Sequence, residues 1–117
     1  MEIHHIAFRT RELARLEAFY REGLGLEVVR RRNGQSVWLA LGARAVLMLE
    51  QADPGEPLVP SGTLELIALT VSDPGRASVR RRLEEHGVAV EDETEHTTYF
   101  RDPDGRRVAV STHPLTT

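Results

Sequence analysis

The side chains in this chain that could do chemistry are five histidines, a set of arginines and carboxylates, and few aromatics, with Trp38 the single tryptophan. There is no cysteine, which excludes disulfides, zinc fingers and thiol nucleophiles. Every basic residue is arginine, and we read the absence of lysine as codon bias rather than function. No glycine-rich phosphate loop, serine elbow or pair of catalytic carboxylates is present. Arg30-Arg31-Arg32 falls on a predicted strand, so its side chains alternate and do not form one patch. Arg80-Arg81-Arg82 precedes Glu84-Glu85 on a predicted helix and reads as a solvated face with local ion pairs. His86 falls in the last turn of that helix, where a cationic imidazole suits the helix dipole. His96 opens a strand and reads as a surface residue, and His4 takes the opposite strand face from His5, which leaves His5 and His113 as the histidines worth following.

A chain of 117 residues is expected to form one domain, with residues 1–117 sharing a modest core. The net charge of −3 attracts neither nucleic acid nor an anionic membrane, so neither is an expected partner. Met1-Glu2-Ile3-His4-His5 is not a signal peptide, and no apolar run is long enough to span a bilayer, so a cytoplasmic location is expected.

Strands are predicted at 3–9, 26–32, 36–41 and 45–50, with an amphipathic helix over 11–23 carrying Leu13, Leu16, Tyr20 and Leu24 on one face. Asn33-Gly34 marks a hairpin. Proline- and glycine-rich residues 52–62 read as a linker between a first module, about 1–51, and a second, about 63–114. The order then recurs. Strands are predicted at 63–71, 88–92, 97–101 and 107–112, and a helix over 74–86 with Asp73 as its N-cap. The two halves superpose at an offset of 61 residues, which lays His5 over Leu66, Trp38 over Tyr99 and Leu47 over Val108. The helix-ending glycines, Gly25 and Gly87, are 62 apart, a slip of one. The predicted class is therefore α+β, with two tandem βαβββ modules.

Three segments also resemble a known family. Ile3-His4-His5-Ile6-Ala7-Phe8 is similar to the opening strand of vicinal oxygen chelate proteins, the glyoxalase, bleomycin-resistance protein and extradiol dioxygenase family. Phe19-Tyr20-Arg21-Glu22-Gly23-Leu24-Gly25-Leu26 resembles its helix end, and Tyr99-Phe100-Arg101-Asp102-Pro103-Asp104-Gly105 its final hairpin. The resemblance covers essentially the whole chain. It implies a cup-shaped mixed sheet with helices on the convex face, a homodimer, and a divalent metal chelated on the concave side as a Lewis acid. The first ligand position of the family falls on His5, which matches. The others fall on Met48, Leu66 and Ala109, of which only Met48 has even a weak donor. No metal or other cofactor is therefore expected at that position. Residues two apart share a strand face, so His5, Glu50 and His113 are candidates for a displaced metal site.

The same alternation gives the expected pocket. Val37, Leu39 and Leu41 are claimed by the helix, which turns Trp38 and, by the repeat, Tyr99 toward the concave side. The expected ligand-binding residues are an apolar floor of Met48, Leu66 and Ala109, the aromatic walls Trp38 and Tyr99, and His5, Arg9, Glu50 and His113 around them. The function expected from this set is binding of a small organic molecule without metal chelation, as in bleomycin-resistance proteins. A metal-dependent glyoxalase-like lyase, isomerase or dioxygenase is the alternative. A small interaction module is a third, disfavoured by the polar residues on the expected concave face.

Overall fold

The computed structural model describes residues 1–116 and divides into two compact units, Met1–Val59 and Pro60 onward. The first unit contains β1 (His5–Thr10), α1 (Leu13–Ala18), a π-helical turn (Phe19–Gly23), β2 (Val28–Arg32), β3 (Ser36–Leu41) and β4 (Ala45–Gln51). The second contains β5 (Leu66–Thr70), α2 (Asp73–Glu85), β6 (Val90–Glu93), β7 (Thr97–Arg101) and β8 (Arg107–Ser111). Each unit is a βαβββ module, as the sequence predicts, with a four-stranded mixed sheet in the orders β1-β4-β3-β2 and β5-β8-β7-β6. Among the described residues, no helix is long and apolar enough to cross a membrane.

The repeat holds at the level of register. His5 lies opposite Val46 and Leu66 opposite Arg107; Ala7 lies opposite Met48 and Ala68 opposite Ala109. Trp38 faces Met48 across β3 and β4, as Tyr99 faces Ala109 across β7 and β8. Even the irregularities match, with a bulge between Val28 and Arg30 in one sheet and between Val90 and Asp92 in the other. The hairpins return the offset from 62 at Gly25 and Gly87 to 61 at β3 and β7. Asn33, Gly34 and Gln35 join β2 to β3, whereas Glu95 and His96 lie between Thr94 and Thr97, whose backbones bond at 2.9 Å. Asn33 keeps a negative φ, so the first hairpin turns on Gly34 alone, at φ +71.

Strand alternation gives each sheet a helix-facing side. In the first module Val37, Leu39, Leu47 and Leu49 are buried with Leu16, Phe19 and Tyr20 of the helical segment. In the second, Phe100, Val108 and Val110 are buried with Val79 and Leu83 of α2. Thr10 begins the first helical segment by accepting the Glu12 N–H at 3.2 Å. That segment is α-helical only to Ala18 and then widens, so Leu26 N–H donates to Tyr20 O six residues back. The equivalent bond in the second module spans five residues, Val88 to Leu83. The N-cap of α2 is Ser72, not Asp73: the Ser72 hydroxyl accepts from Gly75 N–H at 3.1 Å, and Asp73 takes the first helical position.

Candidate functional site

The second face of each sheet carries the residues of interest. In the first module a row crosses the strands from Ala7 through Met48 and Trp38 to Arg30. The Arg30 guanidinium sits 5.0 Å above the Trp38 ring, while Arg31 turns to the other face and forks onto Glu17 of α1 at 2.6 and 2.9 Å. That pairing holds the Glu17 carboxyl below its usual range, chiefly through its hydrogen bonds to Arg31. The Trp38 Nε1 donor is buried and, among the described residues, has no hydrogen-bond partner. The expected alternation of the arginine run is thus present, and its first member belongs to the aromatic face. Arg80, by contrast, does not use the helix glutamates; it donates to Glu93 of β6 at 2.7 Å.

One row further along lie Arg9, Glu50 and Ser36, which with Asp53 and Arg32 line an open cavity of about 350 Å³. Arg9 is not a solitary rim cation. Its Nε and Nη2 donate to the two Glu56 oxygens at 2.9 and 2.7 Å, and its Nη1 lies 3.6 Å from Glu50. Asp53 N–H also donates to Glu56 at 3.0 Å, so this carboxyl titrates well down, at about 2, chiefly because of Arg9. A larger groove of about 580 Å³ lies on the helix side, between α1 and the β2–β3 hairpin, and contains none of the candidate residues.

In the second module the row runs Ala68, Ala109, Tyr99, with Asp92 at the edge. Ala109 has no exposed surface, so Tyr99 and its neighbours carry what is accessible there, and Leu66 is 43% exposed. Arg107, beside Leu66 and Arg101 in the adjoining row, places its guanidinium 4.2 Å from the Tyr99 ring centre. Sequence reasoning overlooked Arg107 and Arg30. The signal for Arg107 was available, because it precedes Ala109 by two residues and therefore shares its face.

His5 does not converge with Glu50. His5 lies opposite Val46, four residues from Glu50, about 13 Å along the sheet at about 3.3 Å per residue. Strand side chains stand roughly perpendicular to the sheet, so these two cannot share one ion. The His5 Nδ1 instead meets His4 Nδ1 at 2.9 Å. His113 lies past the end of β8, where its N–H bonds Ser111 Oγ at 3.1 Å, its Nδ1 meets Pro114 O at 2.7 Å and its ring packs edge-on against His96. Strand alternation does not extend to it. Among the described residues, no three His, Asp or Glu side chains are grouped to hold a metal. At the four positions that the resemblance assigns to the family's chelate, His5, Met48, Leu66 and Ala109, one side chain is a good donor and two have none, so that set does not fit a divalent metal.

A sequence model of the Glyoxalase/Bleomycin resistance protein/Dioxygenase superfamily matches residues 2–110. Among solved structures, lactoylglutathione lyase from Agrobacterium tumefaciens is similar over 94% of this chain and 92% of its own, at 27% identity and a TM-score of 0.67. A glyoxalase/dioxygenase from Nostoc punctiforme reaches a TM-score of 0.81 at 18% identity, covering 97% and 91%. The fosfomycin resistance protein FosX from Listeria monocytogenes gives 0.78 at 17%, covering 97% and 92%. The last two likenesses are of fold. No curated protein matches the sequence.

Proposed function

Since the chain belongs to the Glyoxalase/Bleomycin resistance protein/Dioxygenase superfamily, we propose that it binds a small organic molecule on the sheet faces bearing Trp38 and Tyr99, without the metal chelation usual in that family. The observation that carries this reading is the set of residues at the ligand positions, where Met48, Leu66 and Ala109 replace donors with apolar groups. The surface that Met48 and Leu66 leave accessible favours rings and alkyl chains, at about 25 cal/mol per Å² of apolar surface removed from water. Stacking on Trp38 would add about 0.5–1.5 kcal/mol. An acceptor on the ligand would also satisfy the buried Trp38 Nε1.

A second reading, a metal-dependent lyase, isomerase or dioxygenase with displaced ligands, draws on His5 and on the likeness to lactoylglutathione lyase. It requires His5, Glu50 and His113 to meet, which the spacing of His5 and Glu50 along the sheet opposes. Elemental analysis of protein purified without chelators or a histidine tag separates the two. The proposal expects metal far below stoichiometry. About one divalent ion per chain, lost on His5→Ala, would overturn it and restore the enzyme reading.

A further inference from the structure

We infer that Arg107, stacked on Tyr99, is a subsite for the oxyanion (carboxylate or phosphate) of a small organic anion, an inference that rests on the proposed binding at the aromatic faces. Three observations within the second module support it. First, the Arg107 side chain is only 15% exposed and its Nε is fully buried, yet among the described residues its guanidinium makes no hydrogen bond. A buried cationic donor without acceptors is costly, and the five N–H groups of a guanidinium match an oxyanion two at a time. Second, the nearest carboxylate is already taken. Glu91 Oε1 lies 3.9 Å from Arg107 Nε but accepts from Arg101 Nη2 at 2.8 Å, while its Oε2 accepts from Arg101 Nε. One carboxylate therefore faces two guanidinium groups, and its hydrogen bonds go to Arg101, which leaves Arg107 without an acceptor of its own. Third, the Tyr99 hydroxyl makes no hydrogen bond among the described residues and offers a further donor next to Arg107. Asp92, across from Tyr99, is exposed and turns Oδ1 to Glu93 N–H. In the first module the charges of Arg9 are balanced by Glu56 and Glu50, so that guanidinium is a poorer candidate.

The test uses three probes of one shape and different charge: benzoate, benzamide and benzamidine. Each is titrated into the full chain while the Arg107 Nε–H and Tyr99 ring resonances are followed by NMR. Benzoate is expected to shift both, with an affinity about tenfold or more above that of benzamide, and benzamidine to bind least. Arg107→Gln is expected to weaken benzoate far more than benzamide and so remove the preference, and Arg107→Lys to restore part of it. Melting curves identify a variant that has failed to fold, and the probe ranking in the unaltered protein decides the question without it. Equal binding of benzoate and benzamide, with Tyr99 shifted by both, would overturn the anion subsite and leave the aromatic binding face standing. Benzoate shifts at Arg107 with Tyr99 and Trp38 unmoved would instead count against the binding face. Absence of any shift at Arg107 overturns the subsite.

Discussion

Glu56 anchors the 53–56 turn to the end of β1: its side chain accepts from Arg9 and from Asp53 N–H, and its backbone O accepts from Arg11 at 2.6 Å. Its carboxyl is lowered from 4.5 to about 2, so the folded state favours the ionised form. The stabilisation this gives is fully present above 4.5, and it is lost as the pH falls from there through about 2. Glu56→Gln should therefore melt below the unaltered protein at neutral pH, and the two melting temperatures should converge as the pH approaches 2. A gap that is constant with pH would show that the charge of Glu56 contributes nothing. Gly105 makes a separate prediction. Its φ is +86, and a Cβ built there would stand 2.0 Å from Ser61 Oγ, whereas at Gly34, with φ +71, nothing lies within 4 Å. Gly34→Ala should cost about 1 kcal/mol from backbone strain alone, and Gly105→Ala up to about 3 kcal/mol, as read from urea unfolding. Both glycines were legible as turn formers from their dipeptides. The contact with Ser61 was not, because it joins residues far apart in sequence and no local pattern encodes it.

The elements show where local signals suffice and where they compete. Strands β3 and β7 have the predicted bounds because alternating apolar residues and flanking turns agree there. At the start of α2 two capping residues stand side by side, and the sequence favoured Asp73 because it precedes Pro74. The backbone resolves the choice: Ser72 has the extended φ −78, ψ 168 of a cap, and its hydroxyl reaches Gly75. Ser72→Ala should then cost about 1 kcal/mol of unfolding free energy, and Asp73→Ala only the smaller dipole contribution of about 0.3–1 kcal/mol. The reverse order would reinstate Asp73 as the cap. The predicted helix over 11–23 hid a change of winding at Phe19, since apolar residues at three- and four-residue steps fit both an α-helix and its wider continuation. Arg76 shows what periodicity cannot supply. It leaves α2 to bond Thr98 Oγ1 at 2.9 Å and the backbone oxygens of Glu95 and Thr94, tying the helix to the β6–β7 hairpin.

For the molecule as a whole, the offset of 61 residues between the two halves of the sequence is the register offset of the strands β1, β3 and β4 against β5, β7 and β8. Fold and family were legible because three motifs and a repeat point the same way. The candidate site was legible only in part: parity placed Trp38 and Tyr99 on their faces and would have placed Arg107 with them, but the Glu56 clamp on Arg9 joins residues far apart in sequence, which no local pattern encodes. A homodimer is expected. β1 and β2 end one sheet and β5 and β6 the other, and Val29, Leu64 and Leu66 expose large apolar side chains. Sedimentation at micromolar concentration should give twice the 13.1 kDa chain mass, and a monomer would contradict this. Organic-ligand binding without a metal can be followed through the fluorescence of Trp38, the single tryptophan of the chain. A library of aromatic drugs, aromatic acids, dicarbonyl adducts and catechols is titrated into protein treated with EDTA, and again after divalent metal is added. Saturable quenching or a spectral shift by at least one member, equal in both conditions, is expected. Quenching that appears only after metal is restored, or no response from any member, would contradict metal-free binding.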